Sequence, residues 1–127
     1  MSAAIDNTVC CSPCLVLGGF DGSVARSFRR RGWDVYQTKS GPEARRLARM
    51  VSADLIVLDT FLPEESGWLT CEKLTREIPG ARVVLVDPDP RRAALAEFVG
   101  AAALVGSDGL AALLELDPVE ALSSTNG

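Results

Sequence analysis

Residues 54–68 read DLIVLDTFLPEESGW, and this stretch decides the fold. Its first half, DLIVLD, is apolar between two acids, the pattern of a central parallel strand covered on both faces. Its second half is a loop, with Pro63 four residues beyond Asp59 and Gly67 eight residues beyond it. A helical stripe of Trp68, Cys71, Leu74 and Ile78 follows directly and stops at Pro79 and Gly80.

The same alternation continues on both sides. Upstream, 15–18 reads as a buried strand and 23–31 as a helix with Val24 and Phe28 on its inner face, stopped by Gly32. Residues 34–38 form a second strand, and Pro42 opens a helix whose inner positions are Ala44, Leu47, Ala48 and Val51. Downstream, VVLV at 83–86 is the fourth strand, and Leu95, Phe98 and Val99 mark a fourth helix closed by Gly100. Residues 103–105 make a short strand, and Leu110, Leu113 and Leu114 a last helix halted by Pro118. Residues 1–12 and 118–127 read as flexible tails around one domain at 13–117.

Five strands alternating with five helices predict an α/β, flavodoxin-like fold: a doubly wound five-stranded parallel sheet of order 2-1-3-4-5 in a (βα)5 three-layer sandwich. In that order the chain reverses direction between the first and third strands, and ligands gather past their carboxyl ends. Gly19, Phe20, Asp21 and Asp59 fall there, with Asp87 and Ser107 expected beside them from the fourth and fifth strands.

Composition bounds the chemistry. The 127 residues suffice for one core without disulfides or metal. Lys plus Arg number 13 against 17 Asp plus Glu, and a net charge of −4 offers no field for nucleic acid or an anionic membrane. There is no apolar run of about 18 residues and no cationic signal-peptide start, so the expected location is cytoplasmic and the cysteines are read as reduced thiols. Histidine is absent, which removes the commonest general base and metal ligand.

The series Asp59, Leu62, Pro63, Gly67 resembles the receiver domain of bacterial response regulators, whose phosphoacceptor strand commonly reads D-x-x-L/M-P-x-x-x-G. The resemblance covers residues 15–116 in element order and spacing. It implies that Asp59 is the phosphoacceptor position in two-component, phosphorelay signalling, with a phosphohistidine as donor and an acyl phosphate that shifts the domain between two states. It also implies a magnesium site built from an acidic pair after the first strand, the acceptor, and a backbone carbonyl two residues past it, here that of Phe61.

The chain departs from that pattern at most of its working parts. The acidic-pair positions are Gly19 and Phe20. Asp21 follows, either as a cap of the first helix or as a metal ligand with Asp59 and the Phe61 carbonyl. The switch hydroxyl at the end of the fourth strand aligns with Asp87, the lysine of the fifth strand with Ser107, and the switch aromatic with Leu104. An ionised carboxylate donates no hydrogen bond. Two negative charges about 5 Å apart at an effective dielectric of ~20 would oppose each other by roughly 3 kcal/mol.

The expectation is therefore an atypical or pseudo-receiver, not an enzyme, that acts by contact with a sensor kinase or effector or as a homodimer, without nucleic acid, membrane or an effector of its own. Two rivals stay open. One is a phosphorylatable single-domain response regulator using Asp59 with a magnesium site rebuilt from Asp21 and Asp87. The other is a small ligand-binding or hydrolytic flavodoxin-like domain. Three motifs have plainer readings: GGFDG at 18–22 lacks the spacing of a nucleotide loop. CCSPC at 10–14 offers zinc only Cys71 as a fourth thiolate, so Cys14 and Cys71 read as buried hydrophobes. The basic run RSFRRR at 26–31 is a solvated face or, because receivers often dock kinases through the first helix, a partner site.

Overall fold

The computed structural model describes residues 12–89 and 91–124. Its elements are β1 (Cys14–Gly18), α1 (Gly22–Arg30), β2 (Asp34–Thr38), α2 (Gly41–Val51), β3 (Leu55–Asp59), α3 (Gly67–Glu77), β4 (Val83–Val86), α4 (Ala93–Phe98), β5 (Ala103–Val105), α5 (Ser107–Leu114) and α6 (Pro118–Ser124). The strands are all parallel, in the order β2-β1-β3-β4-β5.

Period-2 alternation explains why the sheet needs cover on both faces. Leu15, Leu17, Leu55, Val57 and Val84 belong to one buried cluster, with Phe28 from α1 and Leu113 from α5. The intervening Val16, Ile56, Leu58, Val83 and Leu85 belong to a second, with Ala44 and Ala48 from α2 and Cys71 and Leu74 from α3. Side-chain caps fix three helix starts: Asp21 for α1, Ser40 for α2 and Ser66 for α3.

The structure corrects two local expectations. Residues 118–124 are a helix, not a loose tail: Asp117 and Glu120 each accept the other's backbone N–H, at 2.9 and 3.1 Å, and Ala121 is fully buried. Pro118 thus opens a helix, and the one before it has already ended at Leu114. Of the residues expected on the inner face of α4, Phe98 and Leu95 are instead 79% and 39% exposed; Val99 is buried as expected, and Ala96 is buried with it.

Trp33, between α1 and β2, packs edge-on against Phe28 with ring centres 6.4 Å apart. Cys71 is buried in the second cluster, where burial pushes its thiol up to about 12. Cys14, at the amino end of β1, is only half-buried. Cys10 and Cys11 lie outside the described residues, as do residues 1–11 of the expected amino-terminal tail.

Candidate functional site

Beyond the carboxyl ends of β1 and β3 lies a crevice of about 360 Å³ lined by Gly19, Phe20, Asp21, Lys39, Asp59, Phe61, Leu62 and Pro63. Asp59 ends β3, and its Oδ1 accepts the backbone N–H of Phe61 at 2.9 Å. The loop that follows returns tightly over the strand end: the Gly67 N–H donates to the Thr60 carbonyl at 3.0 Å. A Cβ at residue 67 would strike the Asp59 carbonyl, which is why the loop ends on glycine.

Gly19 is held from the other side. Its φ is +100°, and a Cβ there would lie 2.8 Å from the Asp59 Cβ and 2.9 Å from Leu62 Cδ2. The backbone thus passes closer to Asp59 than any acidic side chain at residue 19 permits. Phe20 takes the other acidic-pair position and forms a wall of the crevice, and Phe61, 70% exposed, stands at its rim.

Asp21 lies at the crevice but is committed to α1. Its Oδ1 accepts the Ser23 N–H at 3.0 Å, the Ser23 hydroxyl at 2.5 Å and the Val24 N–H at 3.4 Å. These bonds, the Ser23 hydroxyl first, hold its carboxyl below the usual range. Capping is the role the geometry gives it.

Asp87 does not line the crevice. The register pairs Asp59 with Val86, so the next pair, Thr60 and Asp87, shares the opposite face. There the Thr60 hydroxyl donates to Asp87 Oδ2 at 2.7 Å and the Asp89 N–H to Oδ1 at 2.7 Å, with Asp87 only 3% exposed. The repulsion expected between Asp87 and a phosphoryl group on Asp59 presumed a shared face, and the register sets Asp87 on the other one. Ser107 does not line the crevice either, because β5 ends at Val105 and residue 107 already opens α5.

Two features escaped the sequence reading. Lys39, from the turn between β2 and α2, brings a cation to the crevice. No motif marks it, because only the order β2-β1-β3 carries that turn beside β3. The second is a buried carboxylate in the loop after Asp59. Glu65 is held by Arg45 of α2 at 2.9 and 3.0 Å, Lys73 of α3 at 3.1 Å and the Thr70 hydroxyl at 2.8 Å. Against the cost of burial, these partners bring its pKa down to about 2. Arg45 and Arg49 reach on to Glu77, so α2 and α3 are joined by an ion-pair network that anchors the loop.

Magnesium needs hard oxygen donors around one point. With residue 19 bare, residue 20 aromatic, Asp21 capping and Asp87 turned away, the side chains do not fit it, and no acidic cluster able to hold a metal occurs among the described residues. No helix among them is long and apolar enough to cross a membrane.

No protein family model matches the chain. The chain is 36% identical over 63 residues to a Mycobacterium tuberculosis protein named "Probable transcriptional regulatory protein TcrX"; the match spans 50% of this chain and 27% of that protein. Among solved structures, the receiver domain of the Francisella response regulator 1452 superposes with a TM-score of 0.75 at 17% identity, over 91% of this chain and 99% of that one. A DNA-binding response regulator of the LuxR family from Staphylococcus aureus gives 0.71 at 15%, over 91% and 99%. A CheY-like receiver domain protein from Methanospirillum hungatei gives 0.69 at 20%, over 91% and 98%. The chain has the CheY-like, flavodoxin-like fold of response regulator receiver domains.

Proposed function

We propose that the chain is an atypical receiver domain of two-component signalling that keeps the acceptor position, Asp59, and works by contact with a sensor kinase or effector, without enzymatic activity. One observation carries the reading. The carboxylates that would assemble a divalent-metal site are each diverted: Gly19 has no room for one, Asp21 is spent on the α1 cap, and Asp87 is spent on Thr60. Phosphoryl transfer to a carboxylate depends on neutralising charge on the moving group.

The test is the intact mass after incubation with acetyl phosphate and magnesium. The expected result is an unchanged mass. A stoichiometric gain of roughly 80 Da, one phosphoryl group, at Asp59 would refute the reading.

One observation favours a second reading, a working single-domain switch at Asp59. Lys39 lines the crevice and has no ion pair among the described residues, so a cation is at hand for a phosphoryl group although the fifth strand supplies none. The same mass measurement on Lys39→Ala separates the two, since only the second reading has an adduct to lose.

A further inference from the structure

Although its side chains do not assemble a magnesium site, the Asp59 crevice has the other attributes of a ligand site. Its volume of about 360 Å³ falls at the small end of the range for small-molecule pockets, about 300–1,000 Å³. Phe20, Phe61, Leu62 and Pro63 give it apolar walls, and Asp59 and Lys39 bring charges of opposite sign to it. The walls are held from behind. Phe20 packs against the first buried cluster, and its carbonyl accepts Gln37 Nε2 at 3.1 Å. Leu62 belongs to the second cluster, and the loop that carries Phe61 and Pro63 is anchored by buried Glu65. Phe61 is 70% exposed at the rim, so an apolar body seated in the crevice takes its ring out of water.

The two opposite charges are not used internally. Asp59 Oδ1 accepts the Phe61 N–H, whereas Oδ2 has no partner among the described residues; Lys39 has none there either, and the two side chains do not pair with each other. Opposite charges that line one crevice without meeting leave space between them for a ligand that carries both complements. Asp21, also in the lining, is committed to the α1 cap through Oδ1, and it makes the crevice net negative. That balance selects a ligand with a cation and works against a free anion. Lys39 is then the group in the lining that can hold a carboxylate.

We propose that this crevice binds a small zwitterion with an apolar body, of the α-amino acid class, its ammonium paired with Asp59 Oδ2, its carboxylate with Lys39, and its side chain laid against Phe20, Phe61 and Leu62. Apolar walls strengthen both ion pairs by keeping water from them. A nucleotide suits the crevice poorly, because its phosphates would meet the carboxylates of Asp21 and Asp59. The inference rests on the reading that Asp59 does not accept a phosphoryl group, which leaves its Oδ2 open to a ligand.

The test uses the full chain, with L-phenylalanine as probe; phenethylamine, hydrocinnamate and glycine are controls that lack in turn the carboxylate, the ammonium and the apolar body. Amide shifts are expected at Gly19, Phe20, Lys39 and Phe61 with L-phenylalanine, and each control should bind about tenfold or more weakly. Asp59→Asn should weaken L-phenylalanine by about tenfold or more, and Phe61→Ala, which trims an exposed side chain and leaves the fold intact, by about fivefold. Lys39→Gln should bring L-phenylalanine down to the level of phenethylamine without weakening phenethylamine itself. No shifts at these amides in millimolar L-phenylalanine, equal binding of either charged analogue, or indifference to Asp59→Asn would overturn the proposal. The functional reading fails on a different observation, a phosphoryl adduct at Asp59; an unchanged mass with no amide shifts refutes this inference alone.

Discussion

Glu65→Gln is the most informative single change, because it removes one charge from the network that anchors the loop after Asp59 and preserves volume. Glu65 is 6% exposed, and its pKa falls from 4.5 to about 2. At about 1.4 kcal/mol per pKa unit, that depression corresponds to roughly 3 kcal/mol of folding stability. Lys73 is the more exposed arm and contributes less than the paired Arg45 contacts. After substitution Arg45 retains Glu77, so the expected loss at neutral pH is about 2–3 kcal/mol, not the larger cost of an orphaned buried cation.

The pH dependence has a definite sign. A carboxyl whose folded pKa is depressed contributes its full stability above its unfolded pKa and loses it as pH falls through the folded value. The wild type should therefore lose about 3 kcal/mol between roughly pH 5 and pH 2 from this group. Glu65→Gln should lack that part of the slope. The assay is urea unfolding followed by tryptophan fluorescence at a series of pH values, for wild type, Glu65→Gln, Arg45→Met and the double variant. Coupling near zero between the two positions, or a Glu65→Gln protein within about 0.5 kcal/mol of wild type at neutral pH, would refute the reasoning.

Three further outcomes follow from the crevice. Gly19→Asp, which places an acid where receivers carry one, should destabilise by about 1–3 kcal/mol, because the site has φ +100° and a Cβ would lie 2.8 Å from that of Asp59; the melting temperature reads this. Asp21→Ala should cost about 1 kcal/mol through the lost α1 cap, and Asp21→Ser should recover most of it, as measured by chemical denaturation. Thr60→Val should cost about 1–3 kcal/mol by taking a donor from the buried Asp87, and the cost should shrink in an Asp87→Asn background.

Local chemistry made much of this protein legible before its structure. The alternation of DLIVLD with its neighbours specifies a parallel sheet, since apolar strands of this kind are stable only between two helical layers. Asp59, Pro63 and Gly67 were likewise readable, because a strand end, a tight loop and a helix start each need particular residue types a few positions apart. Even the capping role of Asp21 was one of two alternatives visible in the sequence.

Tertiary structure decided which groups meet. Asp87 was aligned to the crevice from its position in the chain, but the register with β3 sets it against Thr60, and a shift of one residue moves a side chain to the opposite face of a strand. Lys39 reaches Asp59's crevice, and Arg45 reaches Glu65, across neighbours that sequence distance does not encode. Helix α6 depended on Ala121 finding the covered core at the end of the sheet. Short-range spacing determines which elements form; the charges and cavities that give the site its character arise only when the sheet order brings separate loops to one edge.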